Sequence, residues 1–318
     1  MKEIKITDIE NIKIGQAQDF EGGTGCTVFI APNGASVGLD IRGGGPASRD
    51  TQLLDPRAAM ETVNAVLLSG GSAFGLDAAG GVMKYLEERK MGFEVGVTTV
   101  PIVCQSSLFD LVVGDASCRP DAQMAYKACE AAFNGEELKQ GCFGAGTGAS
   151  VGKLYGMERA VKSGIGFYAV DLFGLKIGAA AAVNAYGDIY ENGKEIAGLL
   201  NEDKNGFIST REAMYRKTDP VENRFTGNTT ICCVVTNAAF DKPKMNKIAA
   251  MAQNGIVRAI APVNTTADGD SVYAMSTGDF KADINVVGTL AADVLEKAVI
   301  NAVKNAESMF GLKACRDI

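Results

Sequence analysis

The chain has no histidine and no tryptophan in its 318 residues. The missing histidine excludes more chemistry than any residue present: Ser-His-Asp and Cys-His triads, HExxH zinc sites and imidazole general bases are all impossible. A hydrolytic reaction here must find its base elsewhere. A basic surface is lacking too. Lys and Arg total 31 against 38 Asp and Glu, a net charge of −7, with no long basic run, which argues against a nucleic-acid partner.

Long apolar runs are also missing. The most apolar stretches, such as Ile177 to Ala185, fall short of the roughly 20 residues needed to cross a bilayer. The first ten residues intersperse charges where a secretory signal would be apolar, so a cytoplasmic location is expected. The cysteines (Cys26, Cys104, Cys118, Cys129, Cys142, Cys232, Cys233 and Cys315) form no CxxC pair or other metal-ligand spacing. They read as reduced, mostly buried small hydrophobes, with no metal or cofactor implied.

With 47% hydrophobic and 22% charged residues, the chain has the composition of a globular protein with a substantial core, and residues 1–318 read as a single domain. The opening third alternates apolar runs with glycine turns: Cys26 to Ala31, Gly34 to Ile41 and Thr62 to Leu68 read as strands. Ser72 is a candidate N-cap for a helix through Leu76, Val82 and Leu86, whose glycines 75, 80 and 81 imply close packing against a sheet. A second helix is expected over about Asp121 to Phe133, and a strand over Lys176 to Tyr186. From Asp188 to Arg224 the chain turns charged and turn-rich, the signature of a mobile surface segment. Thr230 to Thr236 then reads as a buried strand, and Lys244 to Ala261 and Leu290 to Ala306 as amphipathic core helices. Sheets followed by helices at this density predict a layered α/β sandwich.

Glycine-rich stretches raise the possibility of nucleotide binding. Gly144-Ala-Gly146-Thr-Gly148-Ala149 fits GxGxxA, but no βαβ unit with a distal acid surrounds it, and Lys153 is followed by Leu154 where a P-loop needs Ser or Thr. Gly43-Gly44-Gly45 and Gly70-Gly71 are better read as tight turns. The informative place is Gly227-Asn228-Thr229-Thr230, where the polar segment meets the buried strand. Thr229 is either a β-forming residue at a strand start or a nucleophile. Without histidine, one device for activating a hydroxyl is an N-terminal Ser or Thr whose own α-amine, with a reference pKa of about 7.7–8.0, is the base. That device requires a cut immediately before the threonine.

Over nearly its whole length the chain resembles the DmpA-type aminopeptidases, which process themselves into two chains. The resemblance rests on Asp40-Ile-Arg-Gly-Gly-Gly-Pro46, Thr51-Gln-Leu-Leu-Asp-Pro56, Leu68-Ser-Gly-Gly-Ser-Ala-Phe-Gly-Leu-Asp77, Gly144-Ala-Gly-Thr-Gly148, Ala182-Val-Asn-Ala-Tyr-Gly-Asp188, Asn228-Thr-Thr-Ile231 and Asp268-Gly-Asp270. Asn-Thr at the cut and Asp-x-Asp downstream look most like the nylon-oligomer hydrolase branch; aminopeptidase members characteristically carry Gly-Ser and Ser-x-Glu instead.

The resemblance implies an αββα sandwich that self-cleaves into residues 1–228 and 229–318 and assembles as an oligomer, a tetramer, of such pairs. It makes Thr229 the nucleophile and Asn184 a donor to the oxyanion. Asp268 and Asp270 orient and charge-balance Thr229, and Lys153 is an active-site cation. It implies a small amide or peptide as substrate, 6-aminohexanoate oligomers included, and no cofactor. Read without it, Asp268-Gly269-Asp270 is equally a solvated turn, Asn184 a turn cap beside Gly187, and Lys153 a surface lysine. Gly152 and Lys153 stand where an aminopeptidase tyrosine is expected and Phe109 lies in a stretch that does not align, so no tyrosine is assigned. Two rivals share the fold: an acyltransferase of the ornithine acetyltransferase type, and an unprocessed binding protein.

Overall fold

In a computed structural model, which describes residues 1–216 and 227–318, ten strands make up the main sheet structure. They are β1 (Lys2–Ile4), β2 (Lys13–Asp19), β3 (Thr24–Ile41), β4 (Ala47–Arg49), β5 (Val63–Ser69), β6 (Val103–Ser107), β7 (Ile165–Leu172), β8 (Leu175–Asn184), β9 (Thr229–Ala238) and β10 (Ser271–Phe280). Their order is β1-β7-β8-β9-β10-β3-β5-β6-β4, with β2 also on β3. The two runs expected at Cys26 to Ala31 and Gly34 to Ile41 are one long strand. Its register shifts between Ile30 and Ala35: the first part pairs with β2 and β5, the last part with β10. By changing partners, β3 joins two sheets that pack face to face.

Three apolar clusters give the layers. Between the sheets lie Phe29, Val66 and Leu68 from one side and Ala180, Ile231 and Met275 from the other. Tyr273 of β10 is fully buried there, its hydroxyl within 2.8 Å of Ser106 Oγ on β6, so the pair ties the sheets together without leaving a buried phenol unbonded. The outer face of β7–β10 is covered by α4 (Lys242–Ala259) and α5 (Ile284–Lys304), and the other sheet by α1 (Ala79–Glu87) and α2 (Ala122–Asn134). The architecture is therefore helix, sheet, sheet, helix. Strand period 2 sorts neighbours onto opposite faces: Ala179, Ala181 and Cys232 face the α4/α5 layer, and Ala180, Ala182 and Cys233 the inter-sheet core.

Local chemistry sets the helix ends. Asp121, Asp241 and Asp283 cap α2, α4 and α5 by accepting from Met124, Lys244 and Asn285 backbone N–H groups, and α2 stops at Gly135 in the left-handed conformation. Ser72 is not an N-cap as expected. It has φ 54° at the start of a 3-10 turn (Ser72–Ala78), and α1 begins only at Ala79. Nor does Gly81 face a sheet: a Cβ there would lie 1.8 Å from the carbonyl oxygen of Ala122, so it is helix α2 that requires the glycine. The segment after Asp188 is more ordered than its polarity implied. Asp188–Glu191 and Lys194–Ala197 form a hairpin, and Thr210–Tyr215 is a helix (α3) capped by Ser209; within the expected mobile stretch, residues 217–224 lie outside the described residues. Among the described residues no helix is long and apolar enough to cross a membrane.

Two glycines in helical segments should respond oppositely to alanine. A Cβ on Gly255 of α4 would fall 2.2 Å from Ala292 O of α5, whereas nothing lies within 4 Å of one on Gly80. Urea unfolding should show Gly255→Ala destabilised by about 1–3 kcal/mol and Gly80→Ala stabilised by roughly 0.5–1 kcal/mol; equal effects would show that the α4/α5 contact yields.

Candidate active site

The site forms where two neighbouring strands end at one level. β8 runs antiparallel to β9 with Asn184, its last residue, opposite Thr229, the first residue of β9. On its other side β9 runs parallel to β10, whose preceding loop carries Asp268, Gly269 and Asp270. Lys153 follows Gly152, whose φ of 70° and close approach to Gly198 leave no room for a side chain. Backbone bonds from Gly152 N–H to Gly187 O (3.1 Å) and Lys153 N–H to Tyr186 O (3.2 Å) aim the lysine at Asn184.

Every sequence-derived candidate is buried: Thr229 at 4% exposure, Asn184 1%, Lys153 5%, Asp268 2% and Asp270 1%. The lysine is thus no surface group, and the two aspartates are no solvated turn. Lys153 Nζ donates to Asn184 Oδ1 (2.8 Å), Asn184 O (3.0 Å) and Gly227 O (3.4 Å). Asn184 Oδ1 also accepts from Ser150 N–H at 3.1 Å. With two donors on the amide oxygen, the orientation of the amide is determined and its Nδ2 must point the other way. It donates to Phe109 O (2.8 Å) and Gly227 O (3.2 Å). Asn184 caps no turn at Gly187; it touches the residue two before Thr229.

The Thr229 hydroxyl donates to the carbonyl oxygen of Asn228. That same carbonyl accepts from Gly269 N–H at 3.0 Å. Asp270 accepts from Thr230 N–H (2.7 Å) and Asn264 N–H (3.0 Å). Asp268 accepts from Tyr186 N–H (3.3 Å) and from Thr265 N–H and Oγ1 (3.0 and 2.5 Å). These donors fix both carboxylates on either side of Gly269.

Burial governs the electrostatics. Desolvation pushes the Lys153 ammonium down to about 7, against the pull of Asp268, Asp270 and Asp110. It raises both Asp268 and Asp270, and for Asp270 the charge of Asp268 adds to the effect. Groups poised to exchange protons near neutrality in a buried cluster are suited to acid–base work.

Three contributors escaped sequence reasoning. Phe109 gives its carbonyl to Asn184, and its ring lies where a Cβ on Gly227 would be, 2.2 Å from Phe109 Cδ1. Asp110, next to it, is buried and bonds Gly71 N–H (2.7 Å) and Thr24 Oγ1 (2.7 Å), holding that loop in place. Gly269, the unnamed middle of Asp-x-Asp, reaches the Asn228 carbonyl. Backbone donors have no residue-type signature, and only the motif Ser69-Gly70-Gly71-Ser72 hinted at the partner of Asp110. The glycines of 144–148 meet no nucleotide-type βαβ unit: Gly144–Gly146 is a 3-10 turn, and a Cβ on Gly148 would lie 2.2 Å from Gly23 O. All eight cysteines are free, and burial raises the thiol pKa of Cys26, Cys104, Cys129, Cys232 and Cys233. Among the described residues no cluster of three or more His, Cys, Asp or Glu is placed to hold a metal.

The layered arrangement is that of an Ntn hydrolase fold. The L-aminopeptidase D-Ala-esterase/amidase of Ochrobactrum anthropi, described as a variant of the Ntn hydrolase fold, superposes with a TM-score of 0.70, at 17% identity over 96% of this chain and 87% of that one. The family model for peptidase family S58 matches residues 5–316, and the chain belongs to that family. An uncharacterized aminopeptidase of Mycobacterium leprae is 35% identical, covering 96% of this chain and 92% of its own length. The 6-aminohexanoate-oligomer endohydrolase of a Kocuria species is 28% identical, covering 93% of this chain and 85% of its own. The protein is a hydrolase acting on amide bonds, as the resemblance in its motifs implied.

Asp110 gives the site a pH signature. Its carboxyl is pushed up to about 6 by burial, opposed by its two hydrogen bonds. Because the folded pKa lies above the unfolded value near 4, the native state holds the proton more tightly, and stability falls as pH rises from about 4 to about 6. Asp110→Asn should flatten this fall by on the order of 2 kcal/mol in urea titrations across that window. An unchanged slope would show that Asp110 is ionised throughout.

Proposed function

We propose that the chain cuts itself between Asn228 and Thr229 and then hydrolyses amide bonds with Thr229 as an N-terminal nucleophile. The observation that carries this reading is the Thr229 hydroxyl on the Asn228 carbonyl, at the start of a buried strand, in a chain without histidine. In the first reaction Oγ attacks the Asn228 carbonyl carbon, the Thr229 nitrogen departs with the proton, and water hydrolyses the ester. In later turnovers the freed α-amine takes the hydroxyl proton as the substrate carbonyl is attacked. The acyl-enzyme is released by water activated in the same way.

In this reading Asp268 and Asp270 hold the new ammonium and hydroxyl, and Lys153 keeps the Asn184 amide turned toward the substrate. Once the Gly227 carbonyl has withdrawn, Asn184 Nδ2 is free to donate to the substrate oxyanion, an interaction typically worth about 2.7–4 kcal/mol. Small peptides and amide oligomers are the substrate class. The Asn-Thr and Asp-x-Asp motifs and the Kocuria relative support 6-aminohexanoate oligomers within it. The working particle is an oligomer, a tetramer, of cleaved pairs.

Intact-mass measurement of the purified protein should find two polypeptides, the smaller beginning Thr229-Thr230-Ile231, and Thr229→Ala should stay one chain. A single wild-type chain of about 33.2 kDa after long incubation would overturn the proposal. Asn184→Ala should lower amide turnover by about 100-fold or more with little change in melting temperature; parallel losses would reduce it to a structural residue. In cleaved protein the rate should rise with pH through the neutral range as the ammonium loses its proton. A flat profile with chemistry rate-limiting would exclude the amine as base.

A further inference from the structure

Asn184 accounts for no contact to the carbonyl that self-cleavage would attack: its amide is engaged with Gly227 O, one residue upstream. The Asn228 carbonyl oxygen has a different donor, the Gly269 N–H at 3.0 Å. We propose that the Gly269 backbone N–H is the oxyanion donor for cleavage of the Asn228–Thr229 bond, and that Gly45 positions and polarises it. This rests on the self-cleavage reading.

Four observations carry it. The contact continues the parallel pairing of β9 with β10: Ile231 pairs with Ser271, and at the same offset Asn228 N–H donates to Ala267 O (3.4 Å) while Gly269 N–H donates to Asn228 O. The donor therefore sits in the loop leading into β10, where main-chain bonds carry the pairing of the two strands two residues further toward the cut. The regular ladder then gives way, because Thr230 N–H goes to the Asp270 side chain and Gly269 O accepts from Ser271 Oγ (3.0 Å). Gly269 is thus aimed by the two anchored carboxylates that flank it.

The same peptide unit is bonded at its other end. Asp268 O accepts from Gly45 N–H at 2.8 Å, so the Asp268–Gly269 amide lies in a chain from Gly45 through to the Asn228 carbonyl. A donor on the amide oxygen polarises the N–H and strengthens the next bond. This gives the Gly43-Gly44-Gly45 turn a purpose: Arg42 and Gly43 N–H groups also bond Asp270 O (3.0 and 3.3 Å), and a Cβ on Gly43 would fall 2.3 Å from Asp270 N. Finally, position 269 tolerates no side chain. A Cβ would sit 2.8 Å from both Thr229 Oγ1 and Gly45 O, so the nucleophile and the polarising turn close on the same glycine.

Chemically, Oγ forms a bond to the Asn228 carbonyl carbon, the carbonyl electron pair moves onto the oxygen facing Gly269, and the hydroxyl proton leaves on the Thr229 nitrogen as the C–N bond breaks. Water then splits the ester into an Asn228 carboxylate and the free hydroxyl. The Gly269 N–H donates to the oxyanion of the tetrahedral intermediate, stabilising its charge, and is unchanged at the end.

The test removes this hydrogen without adding atoms. Full-length protein assembled by ligation at Cys232 carries an ester in place of the Asp268–Gly269 amide, and a control carries the same change at Gly311, in an exposed turn. After refolding, checked by circular dichroism, release of the 229–318 chain is timed by mass. The Gly269 ester should cleave about 100-fold or more slowly than the control. Equal rates overturn this proposal while leaving self-cleavage standing; an uncut control and an uncut unmodified chain take down both. Should the Gly269 ester fail to fold, the amide is examined in the Thr229→Ala chain labelled with 15N-glycine and 13C-carbonyl asparagine. A protected Gly269 hydrogen coupled to the Asn228 carbonyl is expected, and exchange at the rate of a free loop amide refutes the contact.

Discussion

The antiparallel register that sets Asn184 opposite Thr229 is the constraint on which the rest of the site depends. A one-residue slip would turn every side chain of β9 to the other face, exchanging the cysteines and valines that fill the two cores. The apolar layers therefore hold this register with the whole of their burial, and the polar end of the strand inherits the precision. Parallel pairing with β10 adds the second coordinate by bringing Asp268 to Asp270 alongside residues 228–230.

Desolvation follows from the same packing. A lysine and two carboxylates are confined within a few residues of the strand ends, each nearly excluded from water. Main-chain N–H groups, from Tyr186, Thr230, Asn264 and Thr265, take the place of solvent around the acids. Such fixed dipoles need no reorientation when charge moves, which is the physical basis of electrostatic preorganisation. The same burial brings Lys153 down to about 7, raises the carboxyl of Asp268 and, with the charge of Asp268 adding to it, pushes Asp270 up to about 7.

The glycines link fold to site. Gly152, Gly269 and Gly43 are each pressed against another backbone at a point where a residue of the candidate site is aimed, whereas Gly255 serves the contact between α4 and α5. A glycine-rich composition that first suggests phosphate cradles is used here for close main-chain approach and for backbone donors.

From the sequence alone, the core strands around Cys26, Ala180 and Val234, the amphipathic helices and the change from polar segment to buried strand at Asn228-Thr229 were legible, because period 2 and period 3.6 are local signals. The missing histidine and the polar-to-buried transition also pointed to Thr229, and family motifs named Asn184, Lys153, Asp268 and Asp270. Tertiary structure alone decided that β3 is one strand shared by two sheets, that Ser72 caps nothing, and that Gly81 answers to a helix. It also decided that Phe109, Asp110 and the Gly45–Asp268–Gly269 chain converge on the strand ends. The reason is physical: these contacts join residues up to more than 200 positions apart through main-chain atoms identical in every residue, so no spacing or residue type could announce them.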